Sequence, residues 1–307
     1  MSITTIAKHA FSAGTAIVLL ASLAACGGSS TATSANPDDD EATINVVASI
    51  NQWGSVARDL GGDLVKVTDI MTNTNVEAHD YEPTASDVAT FTKAQVAVVN
   101  GAGYDSWASK AAEHTDADVV DAARTCNIKD GGNPHVWFSS AVRNATADAI
   151  TNAYIKASPE NKAQFDKLNE AWHRKSDALE AKIKDASDKL KGLDYAATES
   201  VAWYLADDLG MNDATPSGYA KAAANESEPS PSDLQRFAET LGSGDIKFLV
   251  VNSQEADSTT AQLTDAAKHA NVPIVGLTEQ MPRNHNDLLE WMDSLVDEIS
   301  RAAEAMQ

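Results

Sequence analysis

Apolar runs alternate with amphipathic segments along this chain from residue 43 onward. Ile44 to Ile50 and Gln95 to Val99 are nearly continuous apolar runs, which are typical of strands that are buried on both faces. Segments with helical periodicity follow them, and glycine or proline residues mark several of the boundaries. This alternation of strands and helices predicts parallel sheets that are covered by helices on both faces.

The same pattern divides the chain into two similar halves. It predicts strands at residues 44–50, 64–71, 95–99, 117–121, 195–197, 248–251 and 272–277. It predicts helices at residues 53–60, 87–93, 107–113, 140–157, 160–190, 201–209, 232–241, 258–270 and 286–305, and it leaves residues 212–231 as a polar loop. The helix at 160–190 is long, charged and amphipathic. We therefore predict an N-terminal α/β lobe at residues 43–159, a connecting helix at 160–191 and a C-terminal α/β lobe at 192–307.

The N-terminus has the features of an exported lipoprotein. Lys8 precedes an apolar run from Ala10 to Leu20, which is too short to span a membrane. The following Leu23-Ala24-Ala25-Cys26 resembles a bacterial lipobox, with an ordinary secretory signal as the alternative. We expect residues 1–25 to be a lipoprotein signal peptide and Cys26 to carry the lipid. Residues 26–42 are small, polar and acidic, which predicts a flexible tether to the extracytoplasmic face of the cell membrane.

The net charge restricts the possible binding partners, and the cysteine content restricts the possible disulfides. The net charge is -22 and the pI is about 4.5, so nucleic acids are unfavourable electrostatic partners, whereas cations are attracted. If Cys26 is lipidated, Cys126 is left as the one thiol, and one thiol cannot form an intramolecular disulfide. The fold is therefore expected to depend on core packing, and we assign no role to Cys126.

Four residues combine into a candidate metal site. His79, Glu199 and Glu279 each follow a predicted strand, and His135 lies in a loop before a helix. Ligands of open α/β sheets collect outside the carboxyl ends of the strands. Two imidazoles and two carboxylates suit a divalent transition ion such as zinc or manganese. Each glutamate by itself is better explained as a solvated loop or helix-cap acid, and His285 is a reserve candidate because it lies close to Glu279 in the chain.

Three motifs carry a family resemblance. His79-Asp80-Tyr81-Glu82-Pro83, the segment Val98 to Trp107 and Asn133-Pro134-His135-Val136-Trp137 resemble the metal-binding substrate-binding lipoproteins of zinc and manganese ABC importers. The resemblance runs from about Thr43 to the C-terminus. It implies two Rossmann-like lobes with parallel sheets, joined by a single long rigid helix. It also implies one ion held in the cleft between the lobes, with one ligand from each of four loops.

The resemblance assigns a role to each candidate ligand. His79 and His135 match the two ligands of the N-terminal lobe, Glu199 matches the third ligand, and Glu279 matches the fourth. The third ligand is histidine in many zinc importers and glutamate in many manganese or iron importers, so zinc, manganese and iron all remain open. Asn133 stands where aspartate is usual, which predicts a weaker contact to His135. The His-rich acidic loop that is common in zinc-specific members does not follow His79.

The expected function is capture of a divalent transition metal outside the membrane and its delivery to an ABC permease. We expect a monomer that catalyses no reaction and binds no nucleic acid. A secreted metallohydrolase is a poorer explanation, because the chain contains neither an H-E-x-x-H pair nor a G-x-S-x-G elbow. A surface adhesin of the same fold is a further alternative, since adhesion has been described for lipoproteins of this family.

Overall fold

The computed structural model describes residues 43–72, 74 and 81–305. The expected signal peptide, the tether with Cys26, and His79 lie outside these residues. The strands are β1 (Ile44–Ile50), β2 (Val65–Met71), β3 (Val96–Val99), β4 (Asp118–Asp121), β5 (Asp194–Ala197), β6 (Asn212–Asp213), β7 (Ile246–Asn252) and β8 (Ile274–Leu277).

Helices connect the strands and cover the sheets. They are α1 (Asn51–Gly61), α2 (Ala85–Lys93), α3 (Ser106–Ala112), α4 (Ala122–Thr125), α5 (Ser140–Ala157), α6 (Lys162–Leu190), α7 (Trp203–Asp208), α8 (Ser217–Ala223), α9 (Pro231–Leu241), α10 (Ser258–His269) and α11 (Leu288–Glu304). Short 3₁₀ turns lie at Gly62–Leu64, Val136–Phe138 and Pro159–Asn161. No helix of the described residues is long and apolar enough to cross a membrane.

Both sheets are parallel and repeat one strand order. The first sheet runs β2-β1-β3-β4 and the second runs β6-β5-β7-β8, so each has the order second, first, third, fourth. The strand order reverses between the first and third strands of each sheet, because the second strand lies on one side of the first and the third strand on the other, and this opens a crevice at their carboxyl ends. The predicted class, an α/β protein with two parallel sheets and a long helix between them, is confirmed.

A continuous apolar core joins the two sheets through the long helix. α6 buries Phe165, Trp172, Leu179, Ile183 and Leu190 on one face, at spacings of four or seven residues. The same core includes residues of α1, α5 and α11, so it extends from the first sheet to the second. Apolar contact across the whole length of α6 fixes the carboxyl ends of both sheets relative to one another.

The predicted polar loop at 212–231 contains two elements that the pattern did not indicate. β6 is a two-residue, exposed strand at the sheet edge, and α8 follows Pro216. α8 buries Tyr219 alone, so it carries no helical hydrophobic period. Tyr219 packs edge-on against Phe237 of α9 at 4.7 Å between ring centroids. This segment is thus helical because of tertiary packing rather than its own pattern.

Candidate metal centre

Loops at the crevices of both sheets supply the candidate site. In the first sheet, β1 leads into Asn51 and Gln52, and β3 leads into Asn100. In the second sheet, β5 leads into Glu199, and β7 ends at Asn252. All of these positions lie at the carboxyl ends of the first and third strands, where a ligand of such a sheet is expected.

His135 has one ring nitrogen with a fixed role and one without a partner. Asn133 Oδ1 accepts from the backbone N–H of His135 at 3.0 Å, while Asn133 Nδ2 donates to the carbonyl of Ser200 at 2.8 Å. These two backbone groups set the orientation of the amide. His135 Nδ1, which is 2.8 Å from the same Oδ1, must therefore donate its proton. The buried Nε2 keeps its lone pair and has no hydrogen-bond partner among residues 43–72, 74 and 81–305.

The lone pair of His135 faces Glu279. Nε2 lies 3.6 Å from Glu279 Oε1, and both residues are buried, with 6% and 2% of their surfaces exposed. The position usually occupied by aspartate is Asn133 here, and it nevertheless makes the contact to the imidazole. The ring packs edge-on against Tyr104 and Trp137, which lie on one side of it because their own ring centroids are 5.0 Å apart.

Glu279 is bound to both lobes. Tyr104 donates to its Oε2 at 2.8 Å, and Asn252 Nδ2 donates to its Oε1 at 3.1 Å. Gln52 Nε2 donates to its backbone carbonyl at 2.6 Å. Tyr104 is in place because β3 turns sharply at Gly101, where φ is 76° and a side chain would meet Asp121.

Glu199 and Glu255 complete a group of carboxylates around Glu279. One oxygen of each of the three side chains lies within 4.8 Å of the others. Glu199 is half-buried and accepts from Asn252 Nδ2 at 3.0 Å, whereas Glu255 is exposed. His135 lies outside this group of three, so Glu279 is the residue that the imidazole and the other carboxylates share.

Crowding of these acids changes the protonation of Glu199. Burial, together with the negative charges of Glu255 and Glu279, raises the pKa of Glu199 to about 8. The side-chain hydrogen bond from Asn252 acts in the opposite direction. A divalent cation would offset this repulsion, and a buried imidazole with a free lone pair is a ligand for the same ion. The residues present therefore fit a divalent transition metal.

The structure brings together three of the four predicted residues. His135, Glu199 and Glu279 meet at the crevices, while His79 lies outside the described residues, so the complete set of four stays a prediction. His285, the reserve candidate, is not in the carboxylate group. Sequence reasoning missed Glu255, Asn252 and Tyr104. Of these three residues, only Asn252 had a sequence signal. It comes directly after a predicted apolar strand, as several of the predicted ligands do.

Comparisons with known proteins identify the family of the chain and agree with its fold. Residues 46–302 match the family described as "ZnuA: Zinc-uptake complex component A periplasmic". The high-affinity zinc uptake system protein ZnuA of Bacillus subtilis is 23% identical over 84% of this chain and 86% of its own. The manganese ABC transporter substrate-binding lipoprotein scaA of Streptococcus gordonii is 25% identical over 82% of this chain and 83% of its own.

Solved structures show the same architecture. The laminin binding protein Lmb of Streptococcus agalactiae has a TM-score of 0.72 and 20% identity, over 85% of this chain and 99% of that one. The periplasmic zinc binding protein TroA from Treponema pallidum has a TM-score of 0.71 and 18% identity, over 85% and 99%. Since the family match spans most of the chain, from β1 to α11, this protein belongs to the ZnuA family of zinc-uptake components.

Proposed function

We propose that this protein is an extracytoplasmic solute-binding protein that captures a divalent transition metal and delivers it to an ABC permease. The observation that carries the proposal is the buried Nε2 of His135, which faces the Glu279 carboxylate and has no hydrogen-bond partner among the residues that the structure describes. A buried nitrogen lone pair without a donor is costly, and a bound metal ion removes that cost. The carboxylate group at the same position supplies the negative charge that a cation requires.

The proposed ligands are His79, His135, Glu199 and Glu279. The range of possible metals follows from the chemistry of these ligands, since two imidazoles suit zinc and two carboxylates extend the range to manganese and iron. Curated relatives include proteins named for zinc, for manganese and for iron. Transport requires only capture and release of the ion, so this function needs no catalytic group.

The proposed location is the outer face of the cell membrane. Leu23-Ala24-Ala25-Cys26 supports a lipid anchor on Cys26, and curated relatives such as the Streptococcus gordonii protein are named lipoproteins of ABC transporters. An anchor of this type keeps a monomeric receptor close to its membrane permease, and residues 26–42 are long enough to let it move.

Metal titration of the soluble chain that starts after Cys26 tests the proposal. We expect one equivalent of zinc or manganese by elemental analysis, and its loss in His79→Ala and in Glu199→Ala. Competition between the two metals then ranks their affinities, and zinc is expected to bind more tightly in vitro by the Irving–Williams order. Absence of bound metal in a folded wild-type protein would contradict the proposal.

The adhesin alternative requires a separate assay. The Lmb structure is described as that of a bifunctional protein with adhesin and metal transporting activity, but likeness at 20% identity concerns the fold alone. Attachment of cells or of laminin to wild-type protein and to His79→Ala separates the two functions. Attachment that persists in a variant without metal would establish adhesion as an independent activity.

A further inference from the structure

Glu255 is an acidic residue at the candidate site that is not among the four proposed ligands. Its carboxylate lies within 4.8 Å of ligand oxygens of Glu199 and Glu279. Three oxygens that are evenly spaced around one ion at about 2.1 Å each are about 3.6 Å apart. The separations, which are at most 4.8 Å, would therefore have to shorten by up to about 1.2 Å for all three carboxylates to reach one ion, and rotation of side chains such as the exposed Glu255 can supply this change.

A second, independent feature points to a ligand at the same place. His135 is 6% exposed, and its Nε2, which lies 3.6 Å from Glu279 Oε1, has no hydrogen-bond partner in the described part of the chain. The imidazole and the carboxylates thus converge on Glu279 from the two lobes. An ion between them is the species that satisfies the lone pair and the negative charges together.

The backbone on both sides of Glu255 is fixed. Asn252 Oδ1 accepts from the N–H of Gln254 at 3.0 Å, and Gln254 Oε1 accepts from the N–H of Gln280 at 3.1 Å. On the other side, Asp257 caps α10 by accepting from Thr260 N–H at 2.7 Å. Glu255 is therefore held beside the residues that surround Glu279, with its exposed side chain hydrogen-bonded to Glu199.

We propose that Glu255 is a further ligand of the transported ion, which it binds from the solvent side of the site. The inference rests on the proposed function, and it adds a third carboxylate to the two already assigned. Oxygen-rich sites with high coordination numbers suit manganese, whereas zinc is usually complete with four ligands. Glu255 thereby biases the site toward manganese or iron and gives the ion a ligand that can exchange with water during entry and release.

Affinity measurements with the soluble chain that starts after Cys26 test this role. Manganese alone and zinc by competition are titrated into wild type, Glu255→Gln, Glu255→Ala and the control Glu228→Gln, which removes the same charge from an exposed position outside the carboxylate group. We expect manganese to bind at least about tenfold more weakly to both Glu255 variants, because even residues that only orient ligands contribute tenfold or more. Zinc affinity is expected to fall less, and Glu228→Gln to match wild type.

Water proton relaxation of the manganese-loaded protein distinguishes a ligand from a nearby charge. Water replaces a lost ligand, so Glu255→Ala is expected to give a higher relaxation rate per bound ion than wild type at full loading. A weaker affinity without any rise in relaxation would overturn direct ligation. Unchanged affinity in both Glu255 variants would also overturn the proposal, while leaving the proposed function intact if Glu199→Ala still loses metal. Failure of wild type to bind any metal would refute the proposed function itself.

Discussion

Glu279 and Glu199 both follow strands of the second sheet, yet the molecule holds them in different ways. Glu279 is buried and receives hydrogen bonds from the first lobe, through Tyr104 to its carboxylate and Gln52 to its carbonyl. Glu199 is half-buried, and the bond to its carboxylate from Asn252 comes from its own lobe. A side chain that belongs to one lobe by sequence can therefore be positioned by the other.

The neighbouring residues extend this difference. Met281 exchanges hydrogen bonds with Asn51, at 2.7 Å to its carbonyl and 3.3 Å from its N–H. Ser55 accepts from the N–H of Leu288 at 3.0 Å, so the first turns of α1 hold the whole loop between β8 and α11. We expect this loop to stay with the first lobe when the ion leaves, and the segments that carry Glu199 and Glu255 to move.

Removal of the charge on the fixed ligand should have the largest effect. Glu279→Gln keeps the shape of a buried side chain but loses the carboxylate that His135 and Asn252 face. We expect metal affinity to fall by more than about a hundredfold, since residues that only orient ligands already contribute ten- to a hundredfold. Glu199→Gln, measured by the same competition titration, should lose less because water can replace a half-exposed ligand. Equal losses would show that the two ligands are equivalent.

Removal of the phenol that holds Glu279 should have the next largest effect. Tyr104→Phe deletes the hydroxyl that donates at 2.8 Å to Glu279 Oε2 and accepts from Gln280. We expect about a tenfold loss of metal affinity. The free energy of unfolding should fall by about 1 kcal/mol. Tyr154→Phe is the matched control, because its buried hydroxyl donates to the Ala57 carbonyl instead, and it should lower stability without changing metal affinity.

The amide that holds the Glu279 backbone should contribute mainly to stability. Gln52→Leu removes the donor to the Glu279 carbonyl, but it also removes Oε1, which is buried without a hydrogen-bond partner. The loss of free energy of unfolding should therefore be about 1 kcal/mol or less, measured by urea unfolding of metal-free protein. We expect Gln52→Leu to lower metal affinity less than Tyr104→Phe does. A larger loss would mean that the contact to the Glu279 backbone matters more for metal binding than the contact to its carboxylate.

The smallest effect should come from an exposed ion pair between the lobes. Lys175 of α6 lies 3.1 Å from Asp59 of α1 and 3.1 Å from Asp287, which caps α11. Because the lysine is more than half exposed, Lys175→Met should cost less than about 1 kcal/mol of unfolding free energy. The difference should shrink at high salt. Lys162→Met, which breaks an ion pair with Asp166 inside α6, is the control. A larger, salt-independent loss of unfolding free energy for Lys175→Met would show that this ion pair specifically stabilises the contact between the lobes.

Much of the fold could be predicted because its core residues follow local hydrophobic patterns along the chain. β1, β3 and β7 are apolar runs, and α6 has a clear helical period. β6 and α8 were missed because a two-residue edge strand and a helix with one buried side chain leave no such pattern. The interruption of β5 pairing between Asp194 and Ala196 was equally beyond reach, since it arises between strands rather than within one.

The candidate site also contains some residues that could be predicted from the sequence and others that could not. Glu199 and Glu279 could be named because they directly follow predicted strands, and His135 because it lies in one of the motifs that carry the family resemblance. Gln52 and Tyr104 could not be named, because a buried amide and a buried phenol are ordinary core residues until their partners are known. Their partners are Glu279 for both, 227 and 175 residues away in the chain.

The sequence by itself determined the α/β class, the long helix between two sheets and the residue types of a divalent-metal site. These properties depend on hydrophobic period and on side-chain chemistry, which are local. The tertiary structure decided that Asn133 directs the lone pair of His135 toward Glu279, that Glu279 is held by the opposite lobe, and that Glu255 joins the carboxylate group. Those features depend on distances between loops far apart in the chain, which only packing of the two sheets through a common core establishes.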